Sequence, residues 1–142
     1  MKVDYDYIIA GSGLAGLSLL YRLLLDKDLQ KNTILVVDKE KKSDNDRTWC
    51  YWEKGDSIFE NIVRHKWETL QFFSPEVTKT FSLKKYKYKM IQAGDFYQLV
   101  MEYAATFENV TFKTEAIKDM GEKDGRAILF TENKQYTGKY IF

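Results

Sequence analysis

Three glycines near the start of the chain are spaced for chemistry. In YIIAGSGLAGLSLL, Gly11, Gly13 and Gly16 form the pattern G-x-G-x-x-G. A short apolar run precedes them, and leucines at helical intervals follow. The three glycines have separate roles. Gly11 permits a tight turn out of a strand, Gly13 lets a pyrophosphate approach backbone without a Cβ in the way, and Gly16 lets the helix lie close to the strand. Phosphate oxygens would then meet the unpaired N–H groups and positive dipole end of the helix. The acid such a site needs is Asp38, 22 residues beyond Gly16 at the end of the strand-like run ILVVD, where a carboxylate accepts hydrogen bonds from ribose hydroxyls. Gly11, Ser12, Gly13, Leu14, Ala15, Gly16, Asp38 and Lys39 are the candidate cofactor contacts. The acid would repel a 2′-phosphate, which disfavours NADP here and leaves FAD and NAD. FAD is favoured because the unit opens the chain, Asp6 stands just ahead of the first strand, and no second βα unit follows Asp38.

A second cluster is aromatic. DRTWCYW, Asp46 to Trp52, holds two tryptophans, a tyrosine and the single cysteine of the chain directly after the polar connector KEKKSDND. Arg47 could reach a pyrophosphate or stand as a surface arginine. Trp49, Tyr51 and Trp52 could wall a flavin or a polyene and offer π faces to a cation, or could fill a core. Cys50 is expected to be a buried small apolar residue, since the one histidine, His65, is distant in sequence and flanked by Arg64 and Lys66. No catalytic residue and no metal site can be named from these patterns.

The elements that must position these residues follow from periodicity. The opening reads strand, helix, strand. Residues 7–25 are apolar, but Arg22, three glycines and the leading acids Asp4 and Asp6 argue against a signal peptide or membrane span. WETLQFFS (67–74) and VTKTFSL (77–83) predict paired strands and 88–91 another, with Tyr86 and Tyr88 of KKYKYK on one face of an exposed strand and the lysines on the other. Residues 93–107 predict a helix capped by Asp95. NVTFKTEAIKDM predicts one strand, GEKDG a turn, and the remainder a hairpin ending in the strand KYIF, 139–142.

Bulk composition excludes several functions. Of 142 residues, 44% are hydrophobic, and 22 basic residues face 21 acidic ones, so the chain can build a core and offers no polyanion-binding surface. No nucleic-acid motif or zinc spacing occurs. One cysteine excludes an internal disulfide framework and fits a reducing compartment.

Taken together, YDYIIAGSGLAGLSLLYRLL, ILVVDKE and NDRTWCYWE resemble the N-terminal region of the lycopene cyclases, flavin-dependent enzymes that close carotenoid rings. The first 55 residues or so carry the likeness; R-T-W-C-Y-W is its specific part, while the glycine segment is shared by many flavoproteins. The resemblance implies an α/β, Rossmann-like FAD-binding fold of the flavoprotein type: a βαβ unit (1–38), inserted antiparallel strands toward the substrate side (57–92), then a helix, third parallel strand, meander and final strand (93–142). It implies FAD as cofactor, NAD(P)H as its reductant, lycopene or a related linear carotenoid as substrate, and a cytoplasmic protein with peripheral membrane contact. It further implies an N-terminal portion of a longer protein, inactive by itself, with the family's catalytic acid, in an F-L-E-E-T type motif, beyond residue 142. A monooxygenase or prenyl reductase of the same fold, and a non-catalytic dinucleotide-sensing domain, are the alternatives.

Overall fold

The structure is a computed structural model and describes residues 3–142. In chain order the elements are β1 (Tyr5–Ala10), α1 (Leu14–Leu25), β2 (Ile34–Asp38), β3 (Thr48–Glu53), β4 (Val63–Trp67), β5 (Thr69–Phe73), β6 (Thr78–Ser82), β7 (Lys87–Gln92), α2 (Ala93–Ala104), β8 (Val110–Thr114), β9 (Ile117–Lys123), β10 (Arg126–Thr131) and β11 (Gln135–Ile141). Short 3-10 turns occupy Leu29–Lys31 and Glu60–Ile62. The chain divides into two units, one running to Lys42 and resuming at Leu99–Phe142, the other Ser43–Gln98.

The first unit is built on a six-stranded sheet in the order β8-β2-β1-β11-β10-β9. β8, β2, β1 and β11 run parallel. β9, β10 and β11 form an antiparallel meander whose last strand lies beside β1. Ile34, Leu35, Val36 and Val37 of β2 are all buried, as the continuous apolar run of an interior parallel strand requires. In α1, Leu17, Leu20, Leu23 and Leu24 bury one face at the 3.6-residue period. Ile8, Leu35, Val37, Leu129 and Tyr136 form a compact core cluster.

Acids stitch the sheet together. Asp4 accepts from the Thr137 N–H at 3.0 Å and its hydroxyl at 2.9 Å. Asp6 lies inside β1 rather than ahead of it. Its carboxylate accepts from the Thr33 N–H (2.8 Å) and hydroxyl (2.9 Å) and pairs with Lys139 at 2.6 Å, so it joins β1 to both flanking segments.

NVTFKTEAIKDM is two strands, not one. β8 and β9 lie at opposite ends of the sheet order, and the chain must leave one edge for the other at Glu115-Ala116. Buried Glu115 fixes the crossing by accepting from the Thr131 hydroxyl (2.6 Å) and the Tyr136 hydroxyl (2.8 Å). These bonds lower the Glu115 pKa, while burial and the carboxylate push that of Tyr136 up to about 12.

The second unit contains a three-stranded antiparallel sheet, β3-β7-β4, and the hairpin β5-β6. Its helical segment opens at Ala93, two residues before Asp95, so Asp95 is a first-turn residue and not the cap. Asn45 instead accepts from the Gly94 N–H at 3.2 Å, and Asp95 binds Arg64 through both oxygens at 2.5 and 2.7 Å.

Candidate dinucleotide-binding site

The turn between β1 and α1 is shaped by its glycines in three different ways. Gly11 has φ +116°, a conformation that side chains disfavour. Gly13 caps α1 with φ −78° and ψ −169°, open to any residue, and a Cβ built there meets nothing within 4 Å. A Cβ on Gly16 would lie 2.0 Å from the Gly11 carbonyl oxygen and 3.0 Å from Ile9 Cγ2, because the helix rests directly on the strand. No side chain caps α1, and its first turn holds no acid. The N–H groups of Leu14, Ala15 and Gly16 precede the first intrahelical bond, Leu17 N–H to Gly13 C=O, and so remain available to an anion beside the space at Gly13. This geometry fits a dinucleotide pyrophosphate.

Asp38 is bound to the same turn. Its Oδ2 accepts from the Ser12 N–H at 2.7 Å and the Ser12 hydroxyl at 2.9 Å, and Oδ1 from the Glu40 N–H at 3.0 Å. Ser12 is therefore committed to Asp38, while Oδ1 keeps acceptor capacity. Burial pushes the Asp38 carboxyl up, but the bonds from Ser12 and Glu40 and the charge of Lys42 outweigh it and hold the group below the ordinary value. Lys39 is exposed and lies 3.8 Å from Glu40.

Two cavities meet at Asp38. One of about 200 Å³ is lined by Val36, Lys42, Met101, Phe112 and Lys113 among others; another of about 230 Å³ is lined by Gly11, Lys39, Ala116 and Ile117. Sequence reasoning missed Met101 and Phe112. The signal for Phe112 is the β2–β8 pairing, which sets it beside Val36 and sets Thr114 beside Asp38; Met101 comes from α2 and has no such signal. Replacing Asp38 with asparagine should remove the charge that holds the Ser12 hydroxyl and N–H and cost about 2 kcal/mol. Because the native carboxyl pKa is lowered, its contribution is present above the ordinary value and disappears as pH falls through that value toward the lowered one. The deficit of Asp38→Asn in urea unfolding should therefore be present at pH 7 and shrink in acid; equal deficits at about pH 7 and about pH 3 would contradict this origin.

In the second unit, RTWCYW is a strand and not a loop. β3 pairs along its length with β7, Trp49 with Ile91, Tyr51 with Lys89 and Trp52 with Tyr88. Alternation sends Trp49, Tyr51 and Glu53 to the more covered face and Thr48, Cys50 and Trp52 to the open one. Trp49 packs edge-on against Phe96 at 5.5 Å and Tyr97 at 5.9 Å. The Tyr51 hydroxyl is buried without a hydrogen-bond partner among the described residues, and burial next to Glu53 raises its pKa. Trp49, Tyr51 and Trp52 therefore do not form one wall. Cys50 is exposed, contrary to its expected burial, since it shares the open face. The Arg47 side chain is exposed and lies 3.6 Å from Asp46, while its carbonyl accepts from the Ala93 N–H.

Lys89 overturns the expected exposure of the KKYKYK strand. Its side chain is fully buried. It donates to Glu53 at 2.9 Å, to the Gly55 carbonyl at 2.6 Å and to Glu60. The alternation is real, but loop 54–62 covers the lysine face and leaves the tyrosine face open.

The sequence model of lycopene cyclase proteins matches residues 6–141. The chain belongs to the lycopene cyclase family. The solved structures it resembles share the fold alone. A probable FAD-dependent monooxygenase, pqsL from Pseudomonas aeruginosa, superposes with a TM-score of 0.69 at 14% identity over 96% of this chain and 41% of that one. The halogenase PltM gives 0.64 at 14% identity, covering 96% and 34%. A thioredoxin reductase from Gloeobacter violaceus gives 0.52 at 14%, covering 98% and 33%. A search of curated proteins gave no match. This lycopene cyclase family chain thus has the Rossmann-like FAD-binding fold and spans about a third of the length of the structures it matches. Among the described residues no helix is long and apolar enough to cross a membrane.

Proposed function

We propose that this chain is the FAD-binding portion of a lycopene β-cyclase, which forms β-ionone rings on a linear carotenoid without net oxidation. The family match over residues 6–141 carries the reading, and the uncapped N-terminus of α1 beside the open space at Gly13 supports FAD as the group held. When bound and reduced, with NAD(P)H as the reductant, FAD would supply electron-rich ring chemistry that favours a cation. The chain's own residues do simpler things. Gly11 and Gly16 shape the turn, the N–H groups of Leu14, Ala15 and Gly16 receive the pyrophosphate, and Asp38 Oδ1 accepts from a ribose hydroxyl while Oδ2 holds Ser12. Lys39 is the further candidate contact on this unit.

The reaction itself is balanced by one proton. A terminal double bond is protonated, the resulting carbocation is attacked by a neighbouring double bond to close a six-membered ring, and a proton leaves. The acid that starts it lies outside these residues, so cyclisation belongs to the complete gene product, in the cytoplasm and in peripheral contact with the membrane that stores its substrate.

Expression of the complete gene in lycopene-accumulating cells should shift their colour from red toward orange-yellow; cells that stay red while making soluble protein would refute the cyclase. Flavin binding has its own test. Gly13→Ala adds a methyl group in unstrained backbone and open space. It should leave the unfolding temperature within about 2 °C of the parent yet weaken FAD at least about tenfold, roughly 1.4 kcal/mol. Unchanged FAD affinity by fluorescence titration would remove Gly13 from the site.

A further inference from the structure

The three-stranded sheet of the second unit buries a charge cluster and leaves a row of rings open. Its covered face holds Lys89 with Glu53 and Glu60, whereas its open face holds an unbroken row of rings. The register places Trp52 of β3 opposite Tyr88 of β7, and Tyr88 opposite Trp67 of β4. Ring centroids are 4.9 Å apart for Trp52 and Tyr88 and 5.5 Å for Tyr88 and Trp67, at interplanar angles of 40° and 37°. His65 extends the row at 4.4 Å from Trp67, and Met90 shares the face, opposite both Cys50 and His65. Trp52 is 51% exposed. An antiparallel sheet with one solvated face ordinarily turns polar side chains outward; here the ion cluster lies on the covered face beside Trp49 and Tyr51, and the open face carries rings in place of charges.

We propose that this open face, with Trp52, Tyr88 and Trp67 as its row, is the surface on which the linear polyene lies. The proposal rests on the carotenoid reading above and adds the place where the substrate is held. Three strands at the usual spacing give a row about 10 Å long, a strip suited to a flat conjugated chain. The face carries no lysine, arginine or carboxylate in that row, so a hydrocarbon that offers no hydrogen bond leaves no charge unpaired on it. The ring faces present negative quadrupole to a ligand that becomes cationic during cyclisation.

Lycopene in detergent micelles is the probe. It is achiral, so a circular dichroism band in its visible absorption reports a polyene held in a chiral site and needs no turnover. The complete gene product should induce this band. Trp52→Leu and Trp67→Leu should each weaken binding at least about tenfold, whereas Trp52→Phe, which keeps a ring, should stay within about threefold. FAD affinity should be unchanged in all three, which separates loss of the face from misfolding. Leucine variants that bind lycopene as tightly as the parent would overturn the proposal, as expected if another part of the polypeptide or a second copy covers this face. No induced band in a protein that still cyclises lycopene would overturn the face alone; no band and no cyclisation would overturn the face together with the cyclase reading.

Discussion

Lys89→Met should destabilise the protein by about 3–5 kcal/mol at neutral pH, because it leaves two carboxylates facing a buried site without their shared cation. For a chain of this size that is a fall in unfolding temperature of roughly 10 °C or more. In the native protein the Lys89 ammonium is fully buried and satisfied by Glu53, Glu60 and the Gly55 carbonyl. Burial disfavours its charge, but the bonds to Glu53 and Glu60 outweigh burial and raise its pKa. Lys66 first and Lys89 second hold the Glu60 carboxyl down at about 2.

The signs fix the pH window. Glu60 titrates lower in the folded chain than its ordinary 4.5, so its contribution is present above 4.5 and lost as pH falls toward 2. Lys89 is raised, so its contribution is present below its ordinary 10.5 and lost as pH rises through the folded value. The parent should therefore be flat between about pH 5 and 10 in this respect, and should weaken on acidification more than Lys89→Met does. The triple change Lys89→Met, Glu53→Gln, Glu60→Gln should recover most of the loss, since an apolar replacement of a buried ion cluster is often neutral or stabilising. Urea unfolding at about pH 7 and about pH 3 reads all three proteins. A Lys89→Met variant as stable as the parent would show that the cluster contributes nothing to the fold of this unit.

Gly16→Ala is the second large effect, and it contrasts with Gly13→Ala earlier in the same turn. The new methyl carbon would sit 2.0 Å from a backbone oxygen and 3.1 Å from its carbonyl carbon, both of Gly11. Backbone cannot rotate aside as a side chain can, so α1 must lift from β1. Overpacking of this kind costs about 3 kcal/mol, and lifting the helix also withdraws its N–H groups from the phosphate position. Gly16→Ala should lose both stability and FAD affinity, whereas Gly13→Ala loses affinity alone. Thermal unfolding with FAD titration on the two variants separates helix packing from cofactor approach; native stability in Gly16→Ala would refute the close approach.

The legible part of this chain is its local part. Apolar ILVVD could only be an interior strand, the leucines of α1 fall on one helical face, and the glycine spacing with Asp38 announces a βαβ turn. The hairpin of β5 and β6 is equally readable from Thr, Phe and Val around Ser74 and Pro75. Less legible is the break at Glu115-Ala116. Nothing local marks it, because it arises from β8 and β9 belonging to opposite edges of one sheet. The expected Asp95 cap fails for a similar reason: Asn45, distant in sequence, fills that role.

For the candidate site, glycine conformation follows from residue type, since Gly11 and Gly16 occupy positions where a Cβ is strained or excluded. Phe112 is hidden because only strand pairing brings it to Asp38, and Met101 because only the packing of α2 does. RTWCYW shows the limit most clearly. Its composition identifies a family, yet TWCYWE is apolar on both faces as a strand, so periodicity cannot say which side is covered. KYK alternates perfectly but points the wrong way by ordinary expectation, lysine inward and tyrosine outward. Residue order alone is enough for the family and the βαβ turn. Which face of β3 and β7 is closed is a matter of long-range packing, because it depends on loop 54–62 bringing Glu60 and the Gly55 carbonyl over Lys89, a contact between segments far apart in sequence that no local pattern encodes.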